Sequence, residues 1–375
     1  MAVLTEEQTM LRDAAKGWTS ESAPVGALRK LRDGKTGQSF DPAAWAEMGQ
    51  MGWAGVVVPE DYDGSAFGYL GLGLILEETG RTLTASPLLS TAMIGASALK
   101  LGGSDAQKSA WLPKIATGEA VATLAVDEGS HHNPARTALS ATKGASGYVL
   151  NGAKTLVLDG EAADLLIVAA RTSGSGTEGL TLFLVAGDAP GVTRTHLSLL
   201  DSRGAAKIAF DGVEVGADAV LGEADKGWAI LEPVLDRAYA GLAAEMLGSA
   251  SAAFDITLEY IKTRTQFGQV IGTFQALQHR AAKWFTDIET TRSCVEAALE
   301  ALDAGGDTRA LASLAKAKAS ELVHLASNEM VQMHGGIGMT DAHDAGLYMK
   351  RARVTEALFG GASFHRDRYA RLMGF

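Results

Sequence analysis

The hydrophobic period of this chain changes twice, and that change limits what it can fold into. Apolar residues recur at helical spacing from Thr5 to about Gly118. They condense into short β-branched and aliphatic runs from about Ala120, then return to helical spacing from Trp228 almost to the C-terminus. A strand presents alternate residues to its two faces, whereas a helix buries one stripe. Strands confined to one stretch must therefore pair with each other while the flanking helices pack among themselves, which argues against alternating βαβ winding. The pattern predicts an α+β protein with an N-terminal helical domain over 1–121, a middle β-domain over 122–222 and a C-terminal helical domain over 223–375.

Local signals support this reading. Thr5 followed by Glu6 and Glu7 is an N-cap with acids in the first turn, and Asp41-Pro42 opens another helix. Residues 71–81 and 91–101 read as apolar helices, 56–64 as a turn-rich connection, and 111–119 as the close of the helical part. Strands are expected over 123–126, 148–150, 165–170, 180–185 and 207–215, with Asn151-Gly152 as a tight hairpin turn and 172–177 as a surface loop. Residues 303–307 interrupt the C-terminal helices.

At 375 residues and 47% hydrophobic, the chain can bury a large core. A net charge of -11 argues against nucleic acid or an anionic membrane as partner, so a polyanionic ligand would need a local basic patch. The single cysteine, Cys294, excludes a disulfide framework and reads as a buried, inert thiol. The opening residues lack a basic n-region and an apolar h-region, and no apolar run approaches the roughly 20 residues of a membrane span. A cytoplasmic protein without a secretory signal is expected.

Two segments carry binding chemistry. Arg264-Thr265-Gln266-Phe267-Gly268, with Gln275 soon after, joins a cation, amide side chains and an aromatic ring at the end of an apolar helix. Gln332-Met333-His334-Gly335-Gly336 ends a helix beginning near Ser313, and its paired glycines let backbone amides approach a ligand. Phosphate and adenosine need these groups, although a helix C-cap and a plain helix stop would read the same way. No strand precedes the glycines, so they are not a dinucleotide fingerprint. His343 offers His334 neither helical spacing nor acidic partners, and no metal site is expected.

Read together, these segments resemble the flavin-binding signature of the acyl-CoA dehydrogenase family. Trp53-Ala54-Gly55-Val56, Glu77-Glu78-Thr79-Gly80-Arg81 and Val149-Leu150-Asn151-Gly152-Ala153-Lys154 extend the likeness to nearly the whole chain. The resemblance implies an acyl-CoA dehydrogenase-like fold whose middle domain is a β-barrel or sandwich and whose last domain is a four-helix bundle. It implies FAD as cofactor, an acyl-CoA substrate and an electron-transfer flavoprotein as acceptor. It also implies an assembly in which Arg264, Thr265, Gln266, Phe267 and Gln275 reach a neighbouring subunit's flavin, while the glycine turn meets the pyrophosphate and ribityl chain.

The likeness breaks at the chemistry. Many family members carry a catalytic glutamate in an aromatic-Glu-Gly-Thr-Ser segment; here Leu358-Phe359-Gly360-Gly361-Ala362-Ser363 places Gly360 at that position, and 357–366 hold no carboxylate. Other relatives carry the base on the helix after the β-domain, where this chain has Ala238 and Tyr239. The nearest acids on that helix are Asp236, which matches a family aspartate serving binding, and Glu245, roughly 10 Å along the axis from Ala238. Glu245 is either a desolvated base or a buried acid held by a basic partner. Leu156-Val157-Leu158 stands where the family often shows Trp-Ile-Thr, and 123–129 replaces its Thr-Glu-Pro run.

Three readings follow: a FAD-dependent dehydrogenase for a bulky or unusual acyl-CoA; a base-less subunit in a heterotetramer with a second dehydrogenase subunit; or a flavin monooxygenase on the same fold. A homo-oligomer suits the first reading. The missing carboxylate favours the other two, because abstracting a proton beside a thioester needs an acceptor.

Overall fold

The computed structural model describes residues 4–34 and 37–375. Residues 1–3, part of the opening read above, lie outside the described residues. Helices α1 (Glu6–Glu21), α2 (Val25–Gly34), α3 (Pro42–Gln50), α4 (Tyr69–Arg81), α5 (Ala96–Gly102) and α6 (Asp105–Ala116) come first. Eight strands follow: β1 (Ala122–Ala125), β2 (Ser140–Lys143), β3 (Gly147–Leu158), β4 (Leu165–Arg171), β5 (Leu180–Ala186), β6 (Val192–His196), β7 (Ala205–Gly216) and β8 (Val220–Leu221). Then come α7 (Trp228–Thr263), the short pair β9 (Thr265–Gln266) and β10 (Gln269–Val270), α8 (Gln275–Ala304), α9 (Arg309–His334), α10 (Ala345–Ala357) and α11 (Ala362–Leu372). This is the expected helical, β, helical fold. No helix among the described residues is long and apolar enough to cross a membrane.

By internal contacts the chain forms two compact units: Gly34–Leu72 with Ala85–Ala238, and Met1–Asp33 with Gly73–Thr84 and Tyr239–Phe375. The first unit holds the eight-stranded sheet, in the order β6-β7-β3-β2-β4-β5-β8 with β1 alongside β4 in parallel. β4 and β5 are almost wholly buried along their lengths, which explains their unbroken apolar runs. Residues expected to begin a regular helix at 91 instead form a π-helical stretch, Leu89–Gly95, that runs into α5. There the buried Thr91 hydroxyl accepts from Ala122 N at 3.2 Å and donates to Ala122 O at 3.1 Å, tying the stretch to β1.

The expected hairpin turn at Asn151-Gly152 is not a turn. Both residues lie inside β3, whose register against β7 shifts between Leu150 and Gly152, and Asn151 Oδ1 accepts from Gly212 N at 2.8 Å. Buried residues continue on both sides of the pair, at Leu150 and Val157, so the strand bulges and carries on. The β2–β3 turn lies earlier, closed by Gly144 N donating to Gly147 O. β6, whose polar residues gave no strand signal, pairs along one edge of β7.

In the second unit α9 is the central helix, packed by α8, α10 and α11. Ion pairs link its elements: Glu77 with Arg292 at 2.7 Å, Arg29 with Asp344 at 2.7 Å and Arg32 with Asp341 at 2.7 Å. Cys294, on α8, is half-buried rather than buried; desolvation pushes its thiol up, away from the reactive thiolate.

Candidate functional site

The hairpin after α7 is set by its backbone. Arg264 N donates to Tyr260 O and Ile271 N donates to Arg264 O, both at 2.8 Å, so the segment leaves the helix and returns. Phe267 and Gly268 take φ of 54° and 79°, the two left-handed residues of a primed two-residue turn. Asn-Gly would suit that turn. A phenylalanine there is strained, by about 1–2 kcal/mol, and its ring is 90% exposed. Beneath the hairpin, Ile261, Ile271 and Met333 form a small core with Tyr260, Phe274 and Leu277. That core joins the hairpin base to the end of α9.

α9 ends at His334 and becomes a short 3-10 turn, Gly335–Met339. Gly335 has φ 62° and ψ -139°, which a side chain would not tolerate, whereas a Cβ on Gly336 would meet nothing within 4 Å. No packing among the described residues demands a glycine at 336, so the open space in front of it suits an approaching ligand. His334 Nδ1 bonds Met330 O at 2.7 Å, and its ring lies 4.3 Å from that of Tyr260 and 4.2 Å from that of His343. Burial pushes the ring toward the neutral form. Its Nε2 is then an acceptor, buried and without a partner among the described residues.

These two pieces meet in one open depression of about 300 Å³. Its walls are Arg264, Gln266 and Phe267 from the hairpin and Gln332, Met333, His334, Gly335 and Gly336 from the helix end. Thr265 on β9 and Gln275 at the head of α8 belong to the same segment without lining it. The depression also takes in Tyr260 and Arg280, which sequence reasoning missed; Arg280 pairs with Glu329 at 2.6 Å. The donor set fits the phosphate and adenosine side of a flavin dinucleotide. Arg264 supplies charge, Gln266 and Gln332 amides, the glycine turn open backbone, Phe267 a stacking face, and His334 Nε2 an acceptor for a hydroxyl.

The predicted carboxylates lie in firmly built surroundings. Glu245 Oε1 accepts from Arg351 Nε at 3.0 Å and Nη2 at 2.7 Å, with both side chains 5% exposed or less. Asp236 is buried on α7, as are Ala238 and Tyr239. At Gly360 (φ 93°) an added Cβ would meet the ring carbons of Phe364 at 2.5 and 2.8 Å. The Gly360 carbonyl accepts from Lys316 Nζ at 2.9 Å, and that fully buried amine also reaches Ser320 Oγ at 3.1 Å. Desolvation pushes Lys316 down to about 7.

In the sheet-containing unit, the replaced 123–129 run serves the fold. Glu128 accepts from Ala138 N and Leu139 N, each at 2.9 Å, and from the buried Lys154 Nζ at 2.7 Å. Burial pushes Lys154 down to about 8 against the pull of Glu128. Leu156 takes φ 51°, at the second register shift of β3.

Comparison with known proteins agrees with this reading. The chain matches the acyl-CoA dehydrogenase N-terminal domain over residues 5–119, the middle domain over 125–213 and the C-terminal domain over 225–374. It is 31% identical to the probable acyl-CoA dehydrogenase YngJ of Bacillus subtilis, with 97% of each chain covered. Its fold superposes on butyryl-CoA dehydrogenase from Megasphaera elsdenii at TM-score 0.93 and 27% identity, covering 100% of this chain and 99% of that one. It also superposes on one chain of the ChsE4-ChsE5 complex from Mycobacterium tuberculosis at TM-score 0.90 and 27% identity, covering 100% of this chain and 100% of that one. Three domain matches in the right order, whole-length relatives and a donor set suited to a flavin dinucleotide lead to one statement: the chain belongs to the acyl-CoA dehydrogenase family, an oxidoreductase with FAD as its cofactor.

Proposed function

We propose that this chain is one subunit of a FAD-dependent acyl-CoA dehydrogenase in which another subunit supplies the proton-accepting carboxylate. Bound FAD would supply the hydride acceptor for α,β-dehydrogenation of the thioester. This chain's part is to hold that flavin. Arg264 neutralises phosphate charge, Gly335 and Gly336 bring backbone amides close, and Phe267 covers an aromatic face. Electrons then pass to an electron-transfer flavoprotein.

One observation carries the base-less reading: the space a side chain at 360 would need is filled by the Phe364 ring. A side chain at 360 would have to displace that ring, which supports reading the position as one without a carboxylate. Glu245, the nearest substitute in the sequence, is already bound by Arg351. The likeness to a chain of the ChsE4-ChsE5 complex supports a heteromeric assembly. A small residue, Ala238, at the alternative base position supports a bulky or unusual acyl group.

The test is an anaerobic visible spectrum of the chain alone and of the chain co-expressed with the neighbouring dehydrogenase subunit of its source, each titrated with a panel of acyl-CoAs. Flavin that bleaches only in the two-subunit sample is expected. Bleaching by the chain alone would overturn the proposal.

A further inference from the structure

Lys316 lies under the turn between α10 and α11. Its side chain is fully buried, and its Nζ is 2.9 Å from Gly360 O, 3.1 Å from Ser320 Oγ and 3.5 Å from Glu356 O. It forms no ion pair among the described residues. The three partners suit a neutral amine. Its two hydrogens go to the carbonyls, and the Ser320 hydroxyl, which has no other acceptor among the described residues, gives its hydrogen to the nitrogen lone pair. Glu356 is the one charge acting on the amine, and its carboxylate is engaged by Arg353 Nη1 at 2.7 Å and His324 Nδ1 at 3.2 Å.

The other titratable groups around the turn have partners of their own. On α11, His365 Nε2 donates to Phe359 O at 3.0 Å, and Arg368 Nη1 donates to Arg309 O at 3.0 Å and Ser313 Oγ at 2.8 Å. From α7, the Tyr239 ring lies 4.6 Å from that of His365. No charge from α8 acts on Lys316. Desolvation therefore decides the state of the amine and pushes it down to about 7.

The turn itself is strained. Phe359 and Gly360 take φ of 54° and 93°, two consecutive left-handed residues, the first of them a phenylalanine. Its backbone bond from Gly360 N to Ala357 O is long, at 3.3 Å. Its two consecutive carbonyls are taken by side chains, Phe359 O by His365 and Gly360 O by Lys316. A strained turn tethered in this way opens at less cost than the helices around it. Opening lets water reach Lys316, whose amine then returns to its ordinary 10.5. Between about 7 and 10.5 the open turn holds more protons than the closed one, so opening becomes harder as pH rises and easier as pH falls. Below that window both forms carry the proton and the dependence ends.

We propose that Lys316 is a proton-operated latch on residues 358–361: the neutral amine keeps the turn closed, and proton uptake releases it and frees Gly360 from the Phe364 ring. The latch makes the shape of this segment, where many family members carry their catalytic glutamate, dependent on pH. It goes beyond the base-less reading and does not depend on it.

The experiment is hydrogen–deuterium exchange of the purified chain from pH 6 to 9, read by mass spectrometry on peptides covering 357–366 and corrected for intrinsic exchange. Protection of the wild-type turn is expected to be flat below pH 7 and to rise by about tenfold per pH unit between 8 and 9. Low concentrations of urea should leave it unchanged, because a local opening exposes little surface. Lys316→Met should remove the rise. His365→Gln should speed exchange at every pH and keep the rise, because the lysine is intact. Flat protection in the wild type overturns the proposal. So does the same rise in Lys316→Met, or exchange that follows urea as global unfolding does. If Lys316→Met does not fold, the wild-type pH profile and its response to urea decide.

Discussion

The buried pair Glu245–Arg351 separates a structural from a catalytic role for the strongest remaining carboxylate. Glu245 Oε1 accepts two guanidinium hydrogen bonds, at 3.0 and 2.7 Å, with side-chain exposures of 4% and 5% for Glu245 and Arg351. Removing one partner leaves the other charge in a low-dielectric interior, which costs about 3–5 kcal/mol. Replacing both by apolar side chains of similar volume removes the desolvation penalty along with the attraction and is often near neutral. We therefore expect Glu245→Leu and Arg351→Met each to destabilise the chain by about 3–5 kcal/mol. Glu245→Leu/Arg351→Met should lose far less than the sum, with a coupling energy of about 2 kcal/mol or more. Urea denaturation followed by far-UV circular dichroism, with each variant compared at matched m-value, measures the cycle. Singles costing under about 1 kcal/mol, or no coupling, would refute the structural role. Glu245→Gln adds a second readout. If it keeps near-native stability but abolishes flavin reduction in every assembly, Glu245 is the base and the partner-subunit reading fails.

Further predictions follow from the same geometry. Arg264→Ala should lower the flavin-to-protein ratio of the purified chain without changing its helical content; an unchanged ratio would remove Arg264 from the site. Phe267→Gly should relieve the left-handed strain and raise stability by about 1 kcal/mol, while also lowering flavin content; a fall in stability would contradict the strain. Lys316 titrates near 7 in the folded chain and at its ordinary 10.5 when unfolded. Between those values the unfolded state binds the extra proton, so stability should rise with pH across that window. Lys316→Met should flatten this rise in denaturation midpoints measured from pH 7 to 10, and an identical slope in the variant would refute it. Gly360→Ala should destabilise by about 1–3 kcal/mol through its left-handed backbone and the Phe364 contact, and Phe364→Ala in the same chain should recover the steric part.

Much of the fold was legible because its signals are local. Helix and strand differ in hydrophobic period, so α–β–α order could be read directly, and Thr5 and Asp41 cap the helices they precede. The ends of α8 and α9 were marked by glycines 305 and 335. Irregularities were not legible. Asn151-Gly152 carries a turn signal, but pairing of β3 with β7 on both sides turned it into a bulge. The π-helical stretch is tied to β1 through Thr91, a contact no helical period encodes.

The same division runs through the site. Sequence alone picked out an arginine, amides, an aromatic ring and a glycine pair that line one depression, because chemistry resides in residue type and close spacing. It also showed that 357–366 contain no carboxylate. Only the tertiary structure brought the hairpin to the end of α9 through the core of Ile261, Ile271 and Met333. Only it placed Arg351 on Glu245 across a sequence separation of 106, and Arg237 on Tyr69 across 168. Charge pairing and steric exclusion depend on distance in space, and a chain fixes local spacing while leaving those long-range distances to its packing.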